Sequence, residues 1–540
     1  MRLLSATLLA SSLLVAAEPA PIADLRVADG KDLIAHWQAT PVGRTWADPA
    51  LEPLRKQWSE FQTKARTETG ATITEWLAAT SKSQVLVTDA TGQVPGFRAS
   101  TDLGALAAPL VKALRDKSPK AKPATVPGAD EALADESGAA TLARFGTTLV
   151  LFGGGLSATP AKPAPITADA VGHLHLDPLV AWLERLPLED REHRKVLDQM
   201  VTGWKTQAVH EAEYRLRLLP EGVLEEFASD GKPAPGALPV DQALVARLHG
   251  STTAAVAVGL DLSAAWAANR AQMLTQWAPM VGRDPSDLNA VEAEIDRTLA
   301  TFGIPVTIGQ LAQTKGTLVF AISPGVPVPG ITIVLPRSPA VDQLVELGAT
   351  KAQVGLPAEG ASTPILVPGM PLPLVLARDA GHWTLTTDSQ QADAFLAGKP
   401  GGWAETPAWK LALSRAPAGA PLIGASDTPA FVRLISGLAG MALGMQRQGD
   451  PAVRQALLAG LNRLAKEAST GYVVAGARDG KQVLEMRSVT GIATLPVIAA
   501  GVMVGMGKAT AVLPGAQPAA APAPAAPAPG AKPAQDPQSF

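Results

Sequence analysis

Residues 211–229, EAEYRLRLLPEGVLEEFAS, alternate large apolar with polar residues on both sides of Pro220-Glu221-Gly222. Residues 471–488, GYVVAGARDGKQVLEMRS, do the same around Asp479-Gly480. Period-two alternation broken by a two-residue turn is the signature of an antiparallel hairpin, and Asp-Gly suits the positive φ angles of the tightest turns. The two stretches also match each other. Each places Gly eight residues after Tyr (Tyr214 to Gly222, Tyr472 to Gly480), with Val-Leu-Glu following at once or two residues later. A hairpin read twice in one chain predicts a repeated antiparallel unit.

Other blocks recur in the same order. LAATSKSQVLVTDATGQVPG (77–96) and LAQTKGTLVFAISPGVPVPG (311–330) share Leu-Ala-x-Thr and Val-Pro-Gly over equal length. An Asp followed five residues later by Trp appears in DLIAHW (Asp32, Trp37), DPLVAW (Asp177, Trp182) and DLSAAW (Asp261, Trp266), and Asp427 with Phe431 gives a looser version. Such a unit reads as a strand entering a helix whose first N–H groups are capped by the Asp carboxylate. Runs such as 284–303, 450–468 and 100–117 carry apolar residues at helical spacing behind an Asp or Ser. The expected fold is α+β: two duplicated lobes, residues 18–235 and 236–489, each a mostly antiparallel sheet with packed helices.

The ends of the chain read differently. Arg2, the apolar run Leu3–Val15 and the small residues Ala16 and Ala17 form a cleavable export signal over 1–17, with the mature chain starting near Glu18. Residues 488–507 carry no charge, so the segment 490–508 is considered as a membrane helix, against the competing reading of an apolar helix docked on the second lobe. Pro496 and four glycines weaken the first reading. Residues 509–540 are dominated by Ala and Pro and hold too few large apolar groups to fold, so a disordered tail is expected.

Composition bounds the function. The 540 residues are 47% hydrophobic and 18% charged, with a net charge of −3 and no Lys/Arg-rich run, so nucleic acid is not an expected partner. Zero cysteines exclude disulfides, thiolate metal sites and a cysteine nucleophile. A large exported chain without disulfides fits the bacterial periplasm or cell envelope.

The arrangement resembles a broad group of uncharacterised exported bacterial proteins built from tandem strand-Asp-helix units and hairpins. The residues that carry the likeness are ATPVGRTWADPALEPL (39–54) and LVARLHGSTTAAVAVGLDLSAAW (244–266). The likeness implies export and repeat architecture, and no activity.

One cluster invites chemistry. In GHLHLDP, His173 and His175 share a strand face and Asp177 follows, which could ligate a metal. Against this, the repeat casts Asp177 as a helix cap, no third ligand is indicated, and no His-x-x-x-His pair occurs. No catalytic residue, cofactor or metal ligand is therefore assigned. SDGK (229–232) lies in a Gly/Pro linker and reads as a solvated turn, FGGGLS (152–157) as a hairpin exit, and Trp37, Trp182 and Trp266 as packing wedges. The expected function is an exported, non-catalytic binding or scaffold protein of the cell envelope, with an envelope protein or polymer as partner. The competing reading is a metal-dependent hydrolase using His173 and His175.

Overall fold

Both hairpins form where alternation places them. Strands β9 (Glu211–Leu219) and β10 (Gly222–Ser229) turn through Pro220-Glu221, while β18 (Gly471–Arg478) and β19 (Lys481–Ser488) turn through Asp479-Gly480. Asp479 and Gly480 take φ of 52° and 77°, the left-handed pair that matches the twist of a hairpin. The two hairpins then pair with each other, β10 antiparallel to β19, and this seam sits near the middle of the sheet.

The computed structural model describes residues 21–491, apart from 89–94, 118–119, 161, 326–328, 367–373, 446–449 and most of 186–207. Residues 1–17, expected to be an export signal, the apolar segment from 492 and the Ala/Pro-rich tail lie outside the described residues. The described residues up to Gly491 form one unit.

From one edge the order is β4 (Lys122–Pro123), β5 (Glu131–Ala134), β6 (Ala140–Phe145), β7 (Thr148–Gly153), β3 (Gly96–Asp102), β2 (Ser81–Thr88), β1 (Pro21–Val27), β8 (Ala170–His175), β9 and β10. Across the seam follow β19, β18, β17 (Leu422–Ser426), β11 (Ala254–Asp261), β12 (Lys315–Ser323), β13 (Gly330–Pro336), β16 (His382–Thr386), β15 (Leu374–Arg378) and β14 (Ala361–Ile365). Every pairing is antiparallel. Read outward from the seam, the order in which the chain supplies its strands is the same on both sides, β4 being the extra one. The fold is α+β with a large antiparallel sheet.

Local chemistry repeats with the strands. A capping box starts the helix Ile73–Ala79 (Thr72, Glu75) and another starts Ile308–Leu311 (Thr307, Gln310), each just before a strand. Gly96 and Gly330 end the Val-Pro-Gly blocks opposite Thr88 and Ser323, whose hydroxyls lie 2.5 and 2.3 Å from where a Cβ would stand. The seam departs from the pattern. Glu226 faces Glu485 and Glu225 faces Met486, so Tyr214 with Glu225 lies on one face of the sheet and Tyr472 with Glu485 on the other.

Helices cover the faces unevenly. Leu244, Leu248, Phe395, Trp403 and Trp409 bury Ala257, Val319, Val334, Ile423 and Val474 on one face. Toward β1 and β9 the same face turns charged, with Asp24, Glu213, Arg215 and Glu226. On the opposite face the helix Ala107–Lys117 covers Leu133 and Leu149, and Pro339–Lys351 covers Leu376 and Trp383. The helix Pro451–Glu467 reaches back to Pro41–Trp46, where Arg44 Nε donates to Glu467 at 2.6 Å.

Candidate functional site

His173 and His175 share a face of β8, as the spacing predicts, but they meet carboxylates across strands and no further imidazole. His173 stands between Asp24 and Glu213, and His175 Nδ1 lies 3.6 Å from Glu211. Asp24 is held by Arg26 and by Gln84 Nε2 at 2.7 Å, and Glu213 by Arg215 and by Lys481 at 3.8 Å. Among the described residues no three His, Asp or Glu side chains converge on a common point for a metal ion.

Asp177 is not the helix cap the repeat predicts. It is the second residue of the helix Leu176–Arg185, and its carboxylate meets His210 Nδ1 at 3.0 Å. The reason is tertiary: the Leu176 N–H donates to the His210 carbonyl on the approach to the neighbouring strand, which takes over part of the capping. The Asp177 carboxylate then holds the His210 imidazole above its ordinary range, chiefly through that hydrogen bond. Asp261 does cap, accepting from Ser263 and Ala264 N–H groups at 3.0 and 3.2 Å. The Ser263 hydroxyl, the Ala264 N–H and Lys315 lower its carboxyl to about 2. Asp427 accepts from Ala430 N–H at 3.0 Å. Of the three tryptophans, Trp266 packs beside Trp277 over Leu274 and Val291, Trp182 is half-buried, and Trp37 is exposed.

The feature that isolated segments do not reveal is a row. Directly opposed pairs run Leu133, Leu142, Leu151, Ala99, Val85, Leu25, Gly172, Tyr214, Phe227, Leu484, Ala475, Leu422, Val258 and Leu318, one residue from each of fourteen adjacent strands. None is charged. Between the two outer helices this row is open: Leu25, Val85, Leu151, Phe227 and nearby Phe320 remain 39–43% exposed. Large contiguous apolar patches are uncommon on the exposed surface of a folded chain.

At the seam the row deepens into a cavity of about 710 Å³. Its floor includes Leu25, Gly172, Tyr214, Phe227, Leu484 and Ala475, together with the next row, Ala23, Leu174, Ala212, Ser229, Gln482 and Ala477. Residues 232–234 and 418–419 complete the wall. Asp24, His173 and Glu213 border the floor through their backbone. The side chains that hold their carboxylates, Arg26, Gln84, Arg215 and Lys481, are absent from the wall, which places those charges on the far face.

Two buried carboxylates stiffen the seam. Tyr214 Oη donates to Glu225 at 2.8 Å, and Tyr472 Oη donates to Glu485 at 2.5 Å. Arg478 Nη1 donates to Glu485 at 2.6 Å and lies 3.8 Å from Glu226, a cation between two carboxylates that face each other across the seam. Burial first, and then the hydrogen bond to Glu225 or Glu485, pushes both phenols upward. These are the only tyrosines in the chain. Their titration is therefore a clean reporter: the folded protein is expected to show no phenolate absorbance step near the ordinary value of about 10. A raised native pKa adds stability that is complete below the unfolded value and lost as pH rises beyond it, so the phenolate signal should arrive with alkaline unfolding. A full step near pH 10 with native circular dichroism retained would contradict the two pairs.

The chain matches no family model, no curated protein and no solved structure.

Proposed function

We propose that the chain is an exported, non-catalytic binding protein of the bacterial cell envelope that holds an apolar ligand against the open face of its sheet. The observation that carries this reading is the uncharged row left uncovered at the seam, with its cavity of about 710 Å³. That volume lies within the roughly 300–1,000 Å³ range of small-molecule sites, and the wall is mostly hydrocarbon with few polar groups, as such sites require. Export rests on Arg2, the run Leu3–Val15 and Ala17, and kinship with other exported repeat proteins rests on residue patterning.

Within this reading the molecule is an internal duplication, residues 18–235 followed by 236–489. The matched strand order on the two sides of the seam and the two capping boxes support it. The opposite faces taken by Tyr214 and Tyr472 require a one-residue slip between the copies.

Two measurements test the proposal. Mass spectrometry of protein recovered from an expressing bacterium is expected to give a mature chain starting at Glu18 in the periplasmic or envelope fraction. A neutral solvatochromic dye such as Nile red is expected to bind the full mature chain saturably, and Phe227→Glu to weaken it at least tenfold with the melting temperature preserved, since Phe227 is already partly solvated. A cytoplasmic, unprocessed chain overturns the first half; a dye that binds variant and parent alike overturns the second.

A further inference from the structure

The charges around the cavity narrow what it holds, and this step rests on the binding reading above. Lys232 is the one Lys or Arg in the wall; it is exposed and makes no ion pair among the described residues. Two cations on the strands that form the floor are committed on the opposite face, Arg26 to Asp24 at 2.5 Å and Lys481 to Glu213 at 3.8 Å. The site thus pairs a hydrocarbon floor with one uncompensated ammonium at its edge.

That combination selects by charge as well as by apolarity. A cationic head would meet Lys232 with like charge, and a neutral chain would leave the ammonium unused. A phosphate carrying two charges is best matched by several cationic donors or by the planar fork of Arg, and Lys232 is the single cation in the wall. A flexible point charge beside an apolar groove fits a single carboxylate. The cavity is also of small-molecule size.

We propose that the seam cavity binds a long-chain fatty acid, its alkyl chain lying on Leu25, Tyr214, Phe227 and Leu484 and its carboxylate against Lys232 Nζ. The ammonium supplies charge-assisted hydrogen bonds and the floor removes the chain from water.

The experiment is displacement of the bound dye from the full mature chain by palmitate, hexadecanol and hexadecyltrimethylammonium, three ligands with one chain and different heads. Palmitate is expected to displace the dye at a concentration at least tenfold below hexadecanol, with the cation weakest. Lys232→Met should bring palmitate down to the level of hexadecanol, and Lys232→Glu should place the cation ahead of palmitate, with hexadecanol unchanged in both. Equal displacement by palmitate and hexadecanol from the parent, or palmitate affinity indifferent to both Lys232 variants, overturns the head-group assignment while leaving an apolar site. Dye that binds but yields to none of the three overturns the alkyl-chain assignment. A chain that binds no dye at all removes the binding reading itself. Concentration-dependent self-association abolished by Phe227→Glu would assign the face to a second copy and overturn the proposal.

Discussion

Trp409→Ala is expected to remove about 3–5 kcal/mol of stability, the usual cost of emptying a buried tryptophan site. Trp409 is 1% exposed in the helix Pro407–Arg415 and packs with Ile423 and Val474 on the covered face of β17 and β18. The loss combines the transfer of a large ring with the void it leaves, because a core of fixed strands collapses little. A domain commonly holds only about 5–15 kcal/mol in total, so the variant should sit close to unfolding. Urea denaturation should show the midpoint falling with the slope unchanged. Trp58→Ala is the control: Trp58 is 42% exposed on the helix Glu52–Thr69, and its removal should stay within about 0.5 kcal/mol. Similar losses for the two would contradict the described packing.

Glu485→Ala is expected to cost about 3 kcal/mol through a different mechanism. Glu485 is 4% exposed and accepts from the Tyr472 hydroxyl and from Arg478. Removing it strands a buried phenol and leaves Arg478 with the Arg415 carbonyl at 2.7 Å and the more distant Glu226 in place of its closest carboxylate, and losing the acceptor of a buried donor is what makes such deletions expensive. Relief of the repulsion with Glu226 acts the other way, at roughly 0.2–1 kcal/mol for a cross-strand pair, so the loss wins. Tyr472→Phe alone should cost about 1 kcal/mol. In the double-mutant cycle the coupling should exceed about 0.5 kcal/mol; additivity within error would show that the hydroxyl and the carboxylate do not interact.

The hairpins were legible because their information is local. Alternation around Asp479-Gly480 needs no knowledge of the rest of the chain, and the same holds for the Asp261 cap, whose N–H donors lie two and three residues on. Asp177 misled because the Leu176 N–H is claimed by His210, which lies far along the chain. Glu225 and Glu485 recur in the Val-Leu-Glu of each hairpin, yet alternation alone assigns a glutamate to the wet side. Their burial depends on tyrosines across the strand, and on what covers each face. The apolar row was invisible for a related reason. Each strand gives it one ordinary residue, and only the pairing register places Leu151, Leu25, Phe227 and Leu422 in line. Lys232 sits in a Gly/Pro stretch that reads as a linker, and its place in the cavity wall follows from where that linker crosses the sheet.

The seam also sets a timetable. Strand β10 is complete before half of the polypeptide has been made, whereas its partner β19 is the last strand in the sheet. At about 5–20 residues per second, the row of N–H and C=O groups on β10 waits on the order of tens of seconds for that partner. An unpaired edge beside exposed Phe227 is a template for pairing with another nascent chain, so this interval is when the molecule is most open to aggregation. Contacts between such distant segments also close slowly. A fragment ending at Ser229 should therefore self-associate where the whole chain does not, and a chaperone that shields strand edges would act on this protein before its second half exists.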